Sequence, residues 1–284
     1  MVAHKLLVLV VAVAVAFLVG TESFEFNVKK ALWKVVSNKA RQQIIDRGAS
    51  IGVSWEDNTR ALMGELDTLQ LEYDAVLDKN LIYPEYYLKP FHAYDEGNLS
   101  WQCAVEVKSA AYSVHSPIFA GSNNKVFKRD GDWTLRNNFH DKMKMAFSEQ
   151  FFEPKKVVDI GCSTGLSTLK LAESFPSAEI IGADLSPYML SVANYERGQL
   201  TDDEGRDRIS YVHAAGESLP FTAQDKVDLY SMCLTAHELP EGSSREIFQQ
   251  IFEKLPSGGA VSFMDIGTVV CTHPANRYPV SISN

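Results

Sequence analysis

Two carboxylates, a glycine-bounded turn and a histidine carry the chemistry this sequence offers. Asp159 stands two residues before Gly161 in the stretch Asp159-Ile160-Gly161-Cys162-Ser163-Thr164-Gly165. Gly161 and Gly165 bracket a turn where a side chain would keep a ligand off the backbone. Leu166, Leu169 and Leu171 follow at helical spacing, so the turn offers backbone N–H groups at a helix N-terminus. Asp184 comes nineteen residues after Gly165 and ends a second apolar run. A carboxylate at that distance can accept hydrogen bonds from both hydroxyls of a ribose. His237, beyond the run Val227 to Cys233, is a candidate proton acceptor, since an unperturbed imidazole titrates near pH ~6.5. The alternative role for His237 is to order its loop or shape the pocket.

These residues need elements to hold them. Val157, Val158 and Ile160 are β-branched and form the short apolar run of a central parallel strand. Ala178 to Asp184, Ile209 to His213, Val227 to Cys233 and Ala260 to Ile266 read as four more strands. Between them, Ser186 and Pro187 open a helix through Tyr195, with serine as the cap and proline at the first helical position. Ser243-Ser244-Arg245-Glu246 reads as a capping box for a helix whose Ile247, Phe248, Ile251, Phe252 and Leu255 face the sheet. The expectation is a Rossmann-like, doubly wound, mostly parallel α/β sheet with the ligand at the carboxyl ends of its strands.

Dinucleotides and S-adenosylmethionine both use a ribose-binding acid after such a turn. The dinucleotide turn has the spacing G-x-G-x-x-G, whereas this one is G-x-x-x-G preceded by Asp159. That acid would repel a pyrophosphate and suits a ligand carrying an ammonium and a sulfonium. An NAD-dependent oxidoreductase is therefore the lesser alternative. The segment resembles motif I of the class I S-adenosylmethionine-dependent methyltransferases, with Ser163 where the family usually has its middle glycine. The resemblance implies cofactor contacts from Asp159, Gly161, Cys162, Ser163, Gly165, Asp184, Leu185 and Cys233. Ala214-Ala215-Gly216-Glu217-Ser218-Leu219-Pro220-Phe221 resembles the family's adenine-binding loop, with Ala215 in the usual aspartate position. Gly216 and Glu217 are then the adenine contacts. Leu234 to Pro240, with His237, resembles the segment between cofactor and acceptor. The implied activity is methyl transfer to a small or lipophilic acceptor. A non-catalytic or truncated cofactor-binding paralogue is the alternative.

The amino-terminal part reads as two pieces. Leu6 to Val19 is apolar throughout, and fourteen helical residues reach only ~21 Å, short of a ~30 Å hydrocarbon core. Residues 1–23 thus read as a signal peptide cut before Phe24, or else an uncleaved anchor giving membrane association. The expected route is secretory. Phe24 to Arg47 is basic, as an amphipathic surface helix or as the second part of a presequence resembling those of algae with complex plastids. A plastid is one expected destination and the endomembrane system the other.

Residues 24–130 are expected to be a helical extension. Trp55 to Leu77 has helical spacing, and Asn98 is expected to cap a helix from Leu99 to about Val114. Between them, Leu81 to Asn98 carries two prolines and six ring side chains. This passage resembles the lid that many small-molecule methyltransferases carry, and an uncharacterised plant and algal group of them. The alternative is that its rings only pack the extension onto the sheet. Residues 131–284 form the catalytic domain, opened by a helix from Asp132 to Phe147. The family's sheet has seven strands, and no antiparallel hairpin is legible after Ile266, so the domain is expected to be incomplete there. Val261, Phe263 and Ile266 would then lie on an open edge suited to an edge-strand dimer.

Composition agrees with this reading. A net charge of −9 over 284 residues argues against nucleic acid as acceptor, because phosphate neutralisation needs clustered Lys and Arg. The four cysteines, Cys103, Cys162, Cys233 and Cys271, lack metal-ligand spacing. Cys162 and Cys233 are expected close together as free thiols, which favours a reducing compartment such as a plastid stroma.

Overall fold

The computed structural model describes residues 38–90, 94–117, 126–202 and 204–266. The expectations for the signal segment, the Gly121 loop and the chain after Ile266 fall outside these residues. The catalytic part is a sheet of five parallel strands, β1 (Lys156–Ile160), β2 (Glu179–Asp184), β3 (Ile209–His213), β4 (Leu229–Cys233) and β5 (Ala260–Met264). Their order is β3-β2-β1-β4-β5. β1 is central, pairing Val157 with Ile180 of β2 and with Leu229 of β4.

Period-two alternation along the strands divides the core between the two faces. Val157, Ile180, Ile209 and Leu229 pack with Met143, Phe147 and Leu171 on one face. Val158, Ile181, Tyr230 and Met232 pack with Ile247 and Ile251 on the other. Helices cover both faces, as a parallel sheet requires.

Outside the strands, the described residues form a helix over 38–50, here α1, followed by α2 (Trp55–Gly64), α3 (Leu66–Val76), α4 (Trp101–His115) and α5 (Gly131–Glu149). Between strands lie α6 (Leu166–Ser174), α7 (Pro187–Gly198) and α8 (Glu241–Lys254). The extension docks through Leu69 of α3 and Cys103, Ala104 and Val105 of α4 against Met189 and Val192 of α7. A ring cluster of Tyr73, Trp101 and Tyr188 seals that contact, with centroids 4.9 to 5.8 Å apart. Among the described residues no helix is long and apolar enough to cross a membrane.

Local expectations are corrected at three places. The cap of α4 is Ser100, whose hydroxyl accepts from the Cys103 N–H at 3.3 Å, rather than Asn98. The helix α8 starts at Glu241, after Pro240, so Ser243 and Glu246 lie inside it and form no capping box. Only Ile247 and Ile251 of that helix are buried, and Phe252 is exposed because it projects away from the sheet. By contrast, Ser186 caps α7 as expected, accepting from the Met189 N–H at 3.2 Å. Val261, Phe263 and Ile266 are exposed, and β5 is the outermost strand among the described residues.

Candidate active site

The sheet order reverses between β1 and β4, and the carboxyl ends at that switch point open on a cavity of about 1010 Å³. The turn after β1 forms its floor. Gly161 and Cys162 donate their N–H groups to Ala183 O at 2.8 and 3.2 Å, which ties the turn to β2. Gly161 and Gly165 both have left-handed φ, +69° and +85°. A Cβ on Gly161 would strike the Thr235 side chain, and one on Gly165 the Tyr211 hydroxyl. Ser163, in the position where glycine was expected, also takes a left-handed φ of 51°. The conformation is kept although the residue differs, and the Ser163 N–H is spent on Asp184 Oδ2 at 2.8 Å.

Asp184 sits at the tip of β2 and lines the cavity. Besides Ser163, its carboxylate accepts from the Ser186 N–H at 2.8 Å and from the Tyr87 hydroxyl at 3.5 Å. A carboxylate has about four lone-pair positions, so the two backbone N–H groups leave two for ribose hydroxyls once the long Tyr87 contact gives way. Burial raises its pKa, and the two backbone N–H bonds pull the other way.

Asp159 lies deeper. It is 1% exposed, accepts from the Thr168 hydroxyl at 2.7 Å, and its Oδ1 has no hydrogen-bond partner. Burial pushes its pKa up to about 7, against the Thr168 bond and the Arg136 charge. It stands behind the cavity wall, with Gly165, and supports the turn from beneath.

Gly161, Cys162, Ser163, Asp184, Leu185, Gly216, Glu217, Cys233 and His237 all line the one cavity. Cys103, Cys162 and Cys233 are buried free thiols. Glu217 is held by the Tyr86 hydroxyl at 2.7 Å, while its buried Oε2 has no partner. Tyr83 bonds His213 at 3.1 Å, and the Asp78 N–H donates to His213 Nδ1 at 3.1 Å. The aromatic stretch therefore reaches Asp184 and Glu217, as well as packing the extension onto β3.

Two functional neighbours were not legible in the sequence. Arg136 of α5 is 6% exposed and lines the cavity, donating through Nε to Asp132 at 2.9 Å and through Nη1 to Ser167 Oγ and, at 3.5 Å, to Cys233 Sγ. Its partner Asp132 also holds His115, at 2.6 Å. The other is Asp265, whose Oδ1 lies 2.6 Å from His237 Nδ1. Asp265 is a charged residue in an otherwise apolar run, whereas Arg136 lies among polar residues and carries no such signal.

A parallel sheet in this order, with a glycine turn at the switch point and an acid ending β2, defines a Rossmann-like nucleotide-binding class. Residues 157–259 match the family described as "Methyltransferase domain". Over those residues the chain is similar to methyltransferase domains, on a sheet with the Rossmann-like strand order expected of the class I fold.

An uncharacterised methyltransferase of Emericella nidulans is 62% identical over 60 residues, 21% of this chain and 20% of that one. A trans-aconitate 2-methyltransferase of Methylobacterium radiotolerans is 30% identical over 138 residues, 46% of this chain and 48% of that one. The chain spans about half or less of the length of the curated relatives it matches. A solved glycopeptide N-methyltransferase complexed with sinefungin is similar at 17% identity and a TM-score of 0.37, over 43% of this chain and 51% of that one.

Proposed function

We propose that the cavity binds S-adenosylmethionine and passes its methyl group to a small or lipophilic acceptor. One observation carries this reading: the residues singled out for the cofactor, apart from Asp159 and Gly165, and residues of the extension wall a single cavity at the switch point. Its volume of about 1010 Å³ stands at the top of the ~300–1,000 Å³ range of small-molecule sites, enough for a donor and an acceptor together.

The residues fit the donor. Asp184 would take the ribose hydroxyls. The unpartnered Oε2 of Glu217 would accept from the adenine amine, in place of the aspartate that Ala215 replaces. The turn and the start of α6 would hold the methionine end. When bound, the donor supplies an activated methyl on a sulfonium. The chain contributes orientation and exclusion of water, which suffice for many transfers from a sulfonium. Ala215, which carries no donor or acceptor beyond its backbone, also favours a second reading in which the protein binds the cofactor without turnover.

Calorimetric titration separates these readings from the dinucleotide alternative. S-adenosylhomocysteine is expected to bind at one site per chain and NAD not to bind. Binding of NAD alone would overturn the assignment.

The acceptors named for relatives, trans-aconitate among them, belong to those proteins. For this chain a small-molecule acceptor is the reading its net charge of −9 supports over nucleic acid.

A further inference from the structure

The end of β5 and the extension side of the cavity together indicate what acceptor the site takes. His237 lies in the 3-10 turn Ala236–Glu238 and lines the cavity. Asp265 follows β5 and grips that turn twice, at His237 Nδ1 at 2.6 Å and at the His237 N–H at 3.1 Å. The Ile266 N–H donates to the same carboxylate at 2.6 Å. An ionised carboxylate only accepts, so Nδ1 carries the proton and Nε2 keeps its lone pair. Glu238 Oε1 is 3.7 Å from Nε2, too far for a hydrogen bond but near enough to favour an imidazolium once it forms.

The charges around the cavity restrict the acceptor further. Each Arg or Lys that lines it already faces a carboxylate: Arg41 meets Glu106 at 2.6 Å, Arg136 meets Asp132 at 2.9 Å, and Lys89 meets Glu85 at 3.1 Å. Asp184, Glu217 and Glu238 line the same cavity. A second carboxylate brought in as acceptor would meet this negative charge with no uncommitted Arg or Lys among the described residues to balance it. On the extension side the wall is apolar, with Ile44, Val107, Ala110, Ala111 and Val114.

We propose that His237, positioned by Asp265, removes the proton from a neutral hydroxyl acceptor that carries an apolar body lodged against α1 and α4. This rests on the methyl-transfer reading. In the step, the hydroxyl proton passes to His237 Nε2 as the acceptor oxygen forms its bond to the methyl carbon. The sulfur–methyl bond breaks with its electron pair left on sulfur, giving a methyl ether and S-adenosylhomocysteine. The imidazolium, flanked by Asp265 and Glu238, then returns the proton to solvent. His237 is the catalytic base and Asp265 a positioning residue.

Three probes test the acceptor class: 4-octylphenol, octylamine and trans-aconitate. Transfer of labelled methyl is expected to 4-octylphenol alone. His237→Gln and Asp265→Asn should each lower kcat by about 100-fold, the scale of a lost general base, with the Kd for S-adenosylhomocysteine within about twofold.

The acid limb of kcat/KM should disappear in His237→Gln. Asp265→Glu should restore part of the rate. Ala111→Phe, which narrows the apolar side, should lower kcat/KM for 4-octylphenol about tenfold.

Nitrogen NMR of imidazole-labelled protein gives a readout independent of turnover, with His237 expected as the Nδ1–H tautomer. The Nε2–H tautomer would overturn the inference. So would protein that binds S-adenosylhomocysteine but methylates octylamine, trans-aconitate or none of the three. Failure to bind S-adenosylhomocysteine would instead remove the methyl-transfer reading beneath it.

Discussion

Asp184→Ala is expected to weaken S-adenosylhomocysteine by about 1–3 kcal/mol, roughly 5- to 150-fold in Kd. The loss has two sources. The ribose hydroxyls would no longer meet a buried charged acceptor. The Ser163 and Ser186 N–H groups, each 2.8 Å from the carboxylate, would also lose the partner that joins the β1 turn to the start of α7. Asp184→Asn separates these contributions, because its amide oxygen still accepts from one N–H while the charge is gone. Calorimetry on both folded variants should rank them with alanine weakest and asparagine between alanine and wild type. An alanine variant that folds and binds as tightly as wild type would show that the ribose does not lie at the tip of β2.

Gly165→Val should act on the fold itself. Gly165 has φ +85° and precedes the first residue of α6, and its missing Cβ makes room for the Tyr211 hydroxyl. A β-branched side chain there is strained by its backbone and collides with the partly buried Tyr211 ring. The expected cost is about 3 kcal/mol, the upper end for a side chain forced into left-handed backbone. Urea denaturation should show the midpoint falling accordingly. Tyr211→Phe in the same chain should recover the part due to the collision and leave the part due to backbone strain. A midpoint equal to wild type would mean that the turn has another conformation.

The sheet was legible in the sequence because its signals are local. β-branched runs at Val157 and Ile180, and the serine–proline start of α7, each lie within a few residues of the element they specify. β3 runs from Ile209 to His213, the bounds that its short apolar run implies. Misreadings came from local signals with close competitors. Asn98 and Ser100 are both capping residues two positions apart, and the serines of α8 were outweighed by Pro240 at the preceding turn.

Much of the site could not be read, because its partners are far apart in the chain. Asp265 reaches His237 across 28 residues, Arg136 reaches Cys233 across 97, and Tyr83 reaches His213 across 130. No periodicity links such residues. Only the strand order brings β4 and β5 together and lays the extension over the end of β3. Ser163 shows the converse. Its residue type departs from the expected glycine, yet its positive φ and its bond to Asp184 keep the turn in the form that the glycines imply.

The central claim is that S-adenosylmethionine lies at the switch point between β1 and β4. Crystals grown with S-adenosylhomocysteine test it most directly. The ligand is expected in the cavity above Gly161, with both ribose hydroxyls within hydrogen-bond distance of Asp184 and the adenine beside Gly216 and Glu217. A cavity left empty at saturating ligand, or a ligand bound elsewhere with Asp184 still facing only Ser163, Ser186 and Tyr87, would contradict it.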